Sequence, residues 1–229
     1  MAQHSAFLPI VTHSPIIAIT MNIGIIGAGN VGGTLGTGWA RKGHSVVFGV
    51  PDPSTPKMSE LLGRAGESAK GGSVAEAGAC DIVVLATPWE VTKSAIQNAG
   101  DLKGKVVLDC TNPLLPDLSG LAVGTTTSGG EKVAEWAQGA RVVKIFNTTG
   151  YGNMADPIYG NDRNTMFYCG DDESAKPIAA GLASDLGFEP IDAGPLTQAR
   201  LLEPFALLWI TLALKQGLGF NIAFKLMRR

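Results

Sequence analysis

The stretch Met21-Asn22-Ile23-Gly24-Ile25-Ile26-Gly27-Ala28-Gly29-Asn30-Val31-Gly32-Gly33 decides the fold. An apolar run breaks into G-x-G-x-x-G at Gly27, Gly29 and Gly32, and each glycine removes a Cβ from a place where one would obstruct. Gly27 permits the tight turn, Gly29 lets the backbone approach a pyrophosphate, and Gly32 lets a helix pack close to the strand before it. A helix starting near Asn30 then points free N–H groups and the positive end of its dipole at the anion. The pattern alone is weak, because a chain with 30 glycines meets it by chance, and a structural glycine turn is the alternative. Its surroundings raise it. Ile23, Ile25 and Ile26 precede it as a buried strand should, and Val31, Leu35 and Trp39 follow at helical spacing. Arg41-Lys42-Gly43 supplies the cations and glycine of a helix end. A second apolar run, Ser45 to Val50, completes a strand–helix–strand unit.

Further apolar runs follow, and each opens into small polar residues. Asp81 to Ala86 ends in Thr87-Pro88-Trp89, Lys105 to Asp109 runs out into Cys110-Thr111-Asn112-Pro113, and Arg141 to Phe146 opens into Asn147-Thr148-Thr149-Gly150-Tyr151. Ligands of open parallel sheets lie outside the carboxyl ends of the strands. Thr87, Asn112 and Asn147 are therefore expected to converge on one crevice. Two bland readings stand beside this: Trp89 as a core residue after a helix-starting proline, and Asn112-Pro113 as a plain turn. Asp52, 20 residues past Gly32, is placed to bind a ribose diol, yet beyond Pro51 it would equally shape the turn. Lys57 is the nearest cation, and neither residue decides between NAD and NADP.

Gly71 to Ala79 reads as a turn and short helix. Leu114 to Gly130 reads as a long connection suited to a binding loop, with Ser128 capping a helix over Glu131 to Gln138. Beyond Thr165 the alternation continues through strand, helix, strand and a final helical stretch. The expected fold is α/β, a Rossmann-type doubly wound, mostly parallel sheet with a C-terminal helical segment. Residues 1–20 are expected to form a disordered arm, 21–150 the dinucleotide-binding core, and 151–229 an extension that forms the acceptor pocket. Leu201 to Leu214 is the most apolar run, but it is short and holds Glu203 and Pro204. A buried helix or a homodimer face fits it better than a membrane span.

Composition removes whole classes of function. A net charge of −2 with no basic run recruits neither nucleic acid nor an anionic membrane. Charged residues make up only 17% of the chain, which points to extensive buried surface. Cys80, Cys110 and Cys169 are isolated and read as reduced, buried thiols of a cytoplasmic protein. The first 20 residues hold no Lys or Arg, so neither a secretory signal nor a transit peptide is expected. His4, His13 and His44 are scattered, and neither a Ser-His-Asp set nor a metal-ligand cluster is visible.

With the glycine loop, the ATPW segment (Ala86–Trp89), TNP (Thr111–Pro113) and KIFNTTGYGNMADP (Lys144–Pro157) in hand, the chain from Met21 onward resembles the coenzyme F420-dependent NADP oxidoreductase family. That family includes the NADPH-binding domain of the Steap ferric reductases and is a cousin of pyrroline-5-carboxylate reductase. The resemblance implies NADP as cofactor and F420 or another flavin as hydride acceptor. It implies that Gly27, Gly29, Asn30, Val31 and Gly32 hold the pyrophosphate, that Thr87, Pro88 and Trp89 hold the ribose side, and that Asn112, Pro113, Asn147 and Thr148 sit near the nicotinamide. In one place the chain departs from the family. Where its relatives carry an arginine clamp for the 2′-phosphate at the end of the second strand, this sequence reads Val50-Pro51, which leaves Lys57 as a substitute point charge. Hydride transfer between stacked rings needs mainly positioning, so the lack of an evident acid or base is consistent with it. An imine or carbonyl reductase would want a proton donor, for which Tyr151 is the local candidate. A dinucleotide-binding regulatory module without turnover is the third reading.

Overall fold

The structure is a computed structural model and describes residues 20–229; all but the last residue of the expected N-terminal arm lie outside the described residues. The chain runs β1 (Asn22–Ile26), α1 (Asn30–Arg41), β2 (Ser45–Gly49), α2 (Pro56–Ala65), β3 (Ala69–Gly72), α3 (Val74–Gly78), β4 (Ile82–Leu85), α4 (Trp89–Asn98), β5 (Val106–Asp109), α5 (Gly129–Trp136) and β6 (Arg141–Lys144). There follow α6 (Tyr151–Ala155), a small hairpin of β7 (Ile158–Tyr159) and β8 (Asp162–Arg163), then β9 (Thr165–Gly170), α7 (Ala175–Asp185), β10 (Glu189–Asp192) and α8 (Ala199–Ile210). A wider π-turn, Thr211–Lys215, continues α8.

Eight strands form one sheet in the order β10-β9-β6-β5-β4-β1-β2-β3. Strands β3 to β6 around β1 are all parallel and reproduce the 3-2-1-4-5-6 order of doubly wound dinucleotide folds. The switch point falls between β1 and β4. Strand β9 joins β6 antiparallel, the last two residues of β6, Val143 and Lys144, pairing with the last two of β9, Gly170 and Cys169.

Side-chain alternation divides the core between the two faces of the sheet, as a period of two requires. Ile23, Ile25, Val84, Leu108 and Val143 face α1, α2 and α7, whereas Ile26, Val83, Leu85 and Val107 face the other side, which α3, α5 and α8 help to cover. Helix α1 buries Gly32, Leu35, Gly36 and Trp39 at i, i+3, i+4 and i+7, and Trp39 Nε1 donates to the Leu182 carbonyl at 2.9 Å. Three helix starts, those of α2, α3 and α5, follow the capping chemistry of the sequence. Thr55 Oγ1 accepts from Met58 N, Ser73 and Glu76 form a reciprocal box, and Ser128 Oγ accepts from Glu131 N at 3.1 Å.

One local reading is corrected. Ala69–Gly72 is a strand at the sheet edge, not a turn. Its Ala-Lys-Gly-Gly sequence carries no strand signal, and pairing with β2 supplies the order that propensity does not.

Candidate functional site

The glycine loop is where close backbone approach is most demanding. Gly27 has φ +103°, and a Cβ on it would come within 2.5 Å of the Ala86 carbonyl oxygen. A Cβ on Gly32 would stand 1.9 Å from the Gly27 carbonyl oxygen. Gly29 has nothing within 4 Å of its missing Cβ, so its backbone faces open space at the start of the twelve-residue α1. A cradle that side chains would fill, opening on a helix N-terminus, fits the pyrophosphate of a dinucleotide. Asn30 is exposed and Val31 half-buried on the same first turn.

Two clefts open from this loop. The smaller, about 330 Å³, is walled by Val50, Pro51, Met58 and Leu61, with Asp52 and Lys57 at its polar side. The Asp52 carboxylate is already engaged: its Oδ1 accepts from Ser54 Oγ at 2.6 Å and Ser54 N at 2.9 Å. Those bonds, the hydroxyl first, hold its acid below the usual range, so Asp52 shapes the turn. Lys57 has no salt-bridge partner among the described residues. It also lines the larger groove, about 680 Å³, together with Thr34, Arg41, Arg64, Tyr151 and Arg163.

On the far side of the switch point the ends of β4, β5 and β6 lie side by side. Thr87, at the end of β4, touches the place a Gly27 Cβ would occupy, and its hydroxyl bonds that of Thr92 at 2.9 Å. Pro88 is exposed at the start of α4. Trp89, half-buried, stacks on Trp136 with ring centroids 5.2 Å apart. Asn112 and Asn147 interlock across neighbouring strand ends. Asn112 Nδ2 donates to the Asn147 main-chain oxygen at 2.9 Å, and Asn147 Nδ2 donates to Asn112 Oδ1 at 3.1 Å and the Leu202 carbonyl at 3.2 Å. Pro113 and Thr148 are buried beside them. Just before Asn147, Phe146 adopts φ +63°, a left-handed conformation that costs a non-glycine residue about 1–2 kcal/mol. Its ring is buried edge-on against Trp39 and Phe188.

Beneath this interlock lies a cluster to which sequence reasoning gave no role. Lys144, Asp109 and Glu203 are all 1% exposed or less, and Lys144 Nζ reaches Asp109 Oδ2 and Glu203 Oε1, each at 2.9 Å, as well as the Thr111 carbonyl. Glu203 also accepts from Gly129 N and Gly130 N, the first amides of α5, and Asp109 Oδ1 accepts from Thr111 N and its hydroxyl. Burial opposes the Lys144 charge, but the two carboxylates outweigh it and raise its pKa above the usual lysine value. The signal in the sequence was the charge that Asp109, Lys144 and Glu203 each bring to a mostly apolar run, KVVLD, RVVKIF and LLEPF.

Burial, reinforced by the Asp109 charge, pushes the Cys110 thiol up, and burial holds Cys169 up at about 12, which favours the protonated thiol in both. Among the described residues no group of His, Cys, Asp and Glu could hold a metal ion, and no helix is long and apolar enough to cross a membrane.

Topology, glycine cradle and converging strand ends define a Rossmann-type dinucleotide-binding protein. The family model for coenzyme F420-dependent NADP oxidoreductases matches residues 22–113. The crystal structure of a candidate F420-dependent NADP reductase from Arthrobacter sp. FB24 shares 33% identity and superposes with a TM-score of 0.82, over 91% of this chain and all of that one. The F420-dependent NADP reductase of Methanocaldococcus jannaschii is 31% identical over 62% of this chain and 67% of its own length. The metalloreductase STEAP3 of Rattus norvegicus is 29% identical over 81% of this chain, which spans only 36% of that longer protein. The chain belongs to the coenzyme F420-dependent NADP oxidoreductase family, a family of NADP-dependent oxidoreductases.

Proposed function

We propose that the protein transfers hydride between NADP(H) and a planar acceptor of flavin or deazaflavin (F420) type. The observation that carries this reading is the cradle at Gly27–Gly32 set beside the interlocked strand ends of β5 and β6, on opposite sides of one switch point. Gly27, Gly29, Asn30, Val31 and Gly32 would hold the pyrophosphate. Thr87 and Pro88 would line the adjoining ribose, with Trp89 supporting them from its stack on Trp136. Asn112, Pro113, Asn147 and Thr148 would flank the nicotinamide, which when bound supplies the hydride. Lys57, unpaired at the mouth of the smaller cleft, would take the 2′-phosphate in place of the arginine that Val50-Pro51 lacks. NAD binding then depends on how much that one ammonium contributes.

Residues 151–229 would complete the acceptor pocket. The exposed apolar residues of α8 and beyond, Leu201, Leu208, Leu214, Leu218 and Phe220, suit contact with a second copy of the chain. Three buried free thiols suit a reducing cytoplasm.

Rapid mixing of NADPH-bound protein with F420, FMN and FAD tests the proposal; reduction of none of them would sink it. An imine or carbonyl acceptor rests on Tyr151, which is half-exposed in the larger groove. If Tyr151→Phe leaves turnover of a reducible imine unchanged, that role is lost.

A further inference from the structure

Asn147 Oδ1 is the buried side-chain polar atom that has no hydrogen-bond partner among the described residues. The orientation that leaves it so is over-determined. Asn112 must present its Nδ2 to the Asn147 main-chain carbonyl, a group that only accepts, and so presents Oδ1 to the Asn147 side chain. Asn147 Nδ2 therefore points inward, held by Asn112 Oδ1 and by the Leu202 carbonyl. Turning the amide over would set its oxygen against two acceptors and forfeit both bonds. Leu202 is in turn anchored by its neighbour Glu203, locked to Lys144 and the start of α5.

An unpaired buried acceptor costs about 1–3 kcal/mol, and one held this firmly calls for an explanation. Asn147 follows β6, on the side of the switch point that takes the second half of a dinucleotide. The N–H donor of that half is the carboxamide; its ribose offers hydroxyls. Resting on the NADP reading above, we infer that Asn147 Oδ1 accepts a hydrogen bond from the carboxamide NH₂ of the nicotinamide, with Asn112 and Glu203 as positioning residues. Asn147 is only 4% exposed, so this acceptor is largely withheld from bulk water. The site then discriminates against dinucleotides whose ring substituent carries no N–H.

Calorimetric titration of the full chain with NADP and with its 3-acetylpyridine analogue, a methyl ketone in place of the carboxamide, tests this. Wild-type protein is expected to bind the analogue at least about fivefold more weakly. The gap should close in Asn147→Ala and narrow in Asn112→Ala, with thermal melting used to confirm that each variant is folded. If Asn147→Ala does not fold, the wild-type contrast and Asn112→Ala carry the test. Equal affinities in the wild type, as expected if an ordered water or a ribose hydroxyl meets Oδ1, overturn the assignment alone. So does a gap that persists in folded Asn147→Ala. Failure of NADP to bind at all overturns the proposed function and takes this assignment with it.

Discussion

Around Val50 to Lys57 the crevice is open, with one unpaired ammonium and one carboxylate spent on its own turn. Around Asn112 and Asn147 it is closed, and the two side-chain amides are bonded to each other and to main-chain carbonyls beside three buried charges. The difference separates two ways of building specificity. At the open end a charge in water can be exchanged with little effect on folding, so recognition there is adjustable. At the closed end recognition and stability share the same atoms, and changing one changes the other.

The comparison is tested most severely at Lys144. Replacing it with Met leaves the Asp109 and Glu203 carboxylates buried and uncompensated, and urea denaturation should show a loss of about 3–5 kcal/mol. Retained stability would mean that the closed end is as tolerant as the open one. Gly32→Ala comes next. Its Cβ would overlap the Gly27 carbonyl oxygen, and we expect a stability loss of about 1–3 kcal/mol together with loss of NADP binding by calorimetry.

Lys57→Ala should leave stability within about 0.5 kcal/mol of wild type. It should weaken NADPH about tenfold while NADH binding holds steady; equal weakening of both would remove Lys57 from the 2′-phosphate. The smallest effect is expected at Glu131, on the rim of the closed end, where the Arg200 guanidinium bonds the carboxylate at 2.6 and 2.9 Å and holds its pKa below 4.5. A lowered folded-state value means that the contribution is present above about pH 4.5 and disappears as pH falls through the lower, folded-state pKa. Thermal melts of Glu131→Gln should differ from wild type by under about 1 kcal/mol at pH 7 and converge with it in acid.

Much of the open end was legible in the chain, because its chemistry is local. The glycine spacing, the cations closing α1 and the Val50-Pro51 departure each act within a few residues. The strand ends were legible for a related reason: parallel pairing places every carboxyl end on one side, so Thr87, Asn112 and Asn147 had to be neighbours once the order was known. The closed end was not. Lys144, Asp109 and Glu203 are 35 and more residues apart, and each looks like a blemish in an apolar run until the sheet and α8 bring all three together. The stack of Trp89 on Trp136 was not legible either, because the two residues are 47 positions apart in the chain. Strand β3 was missed because its residues contribute pairing and no side-chain pattern.

Phe146 carries a consequence for how this protein tolerates change. Its left-handed backbone turns the chain at the end of β6, and its ring is held between Trp39 and Phe188 in the core on the α1 and α7 face. The aromatic trio therefore acts as a clamp on one dihedral angle. Glycine would relax the angle and empty the clamp, and a β-branched residue would fit neither. Substitutions at Trp39 or Phe188, on elements remote in sequence from Asn147, should register first as a shift in the direction its amide faces.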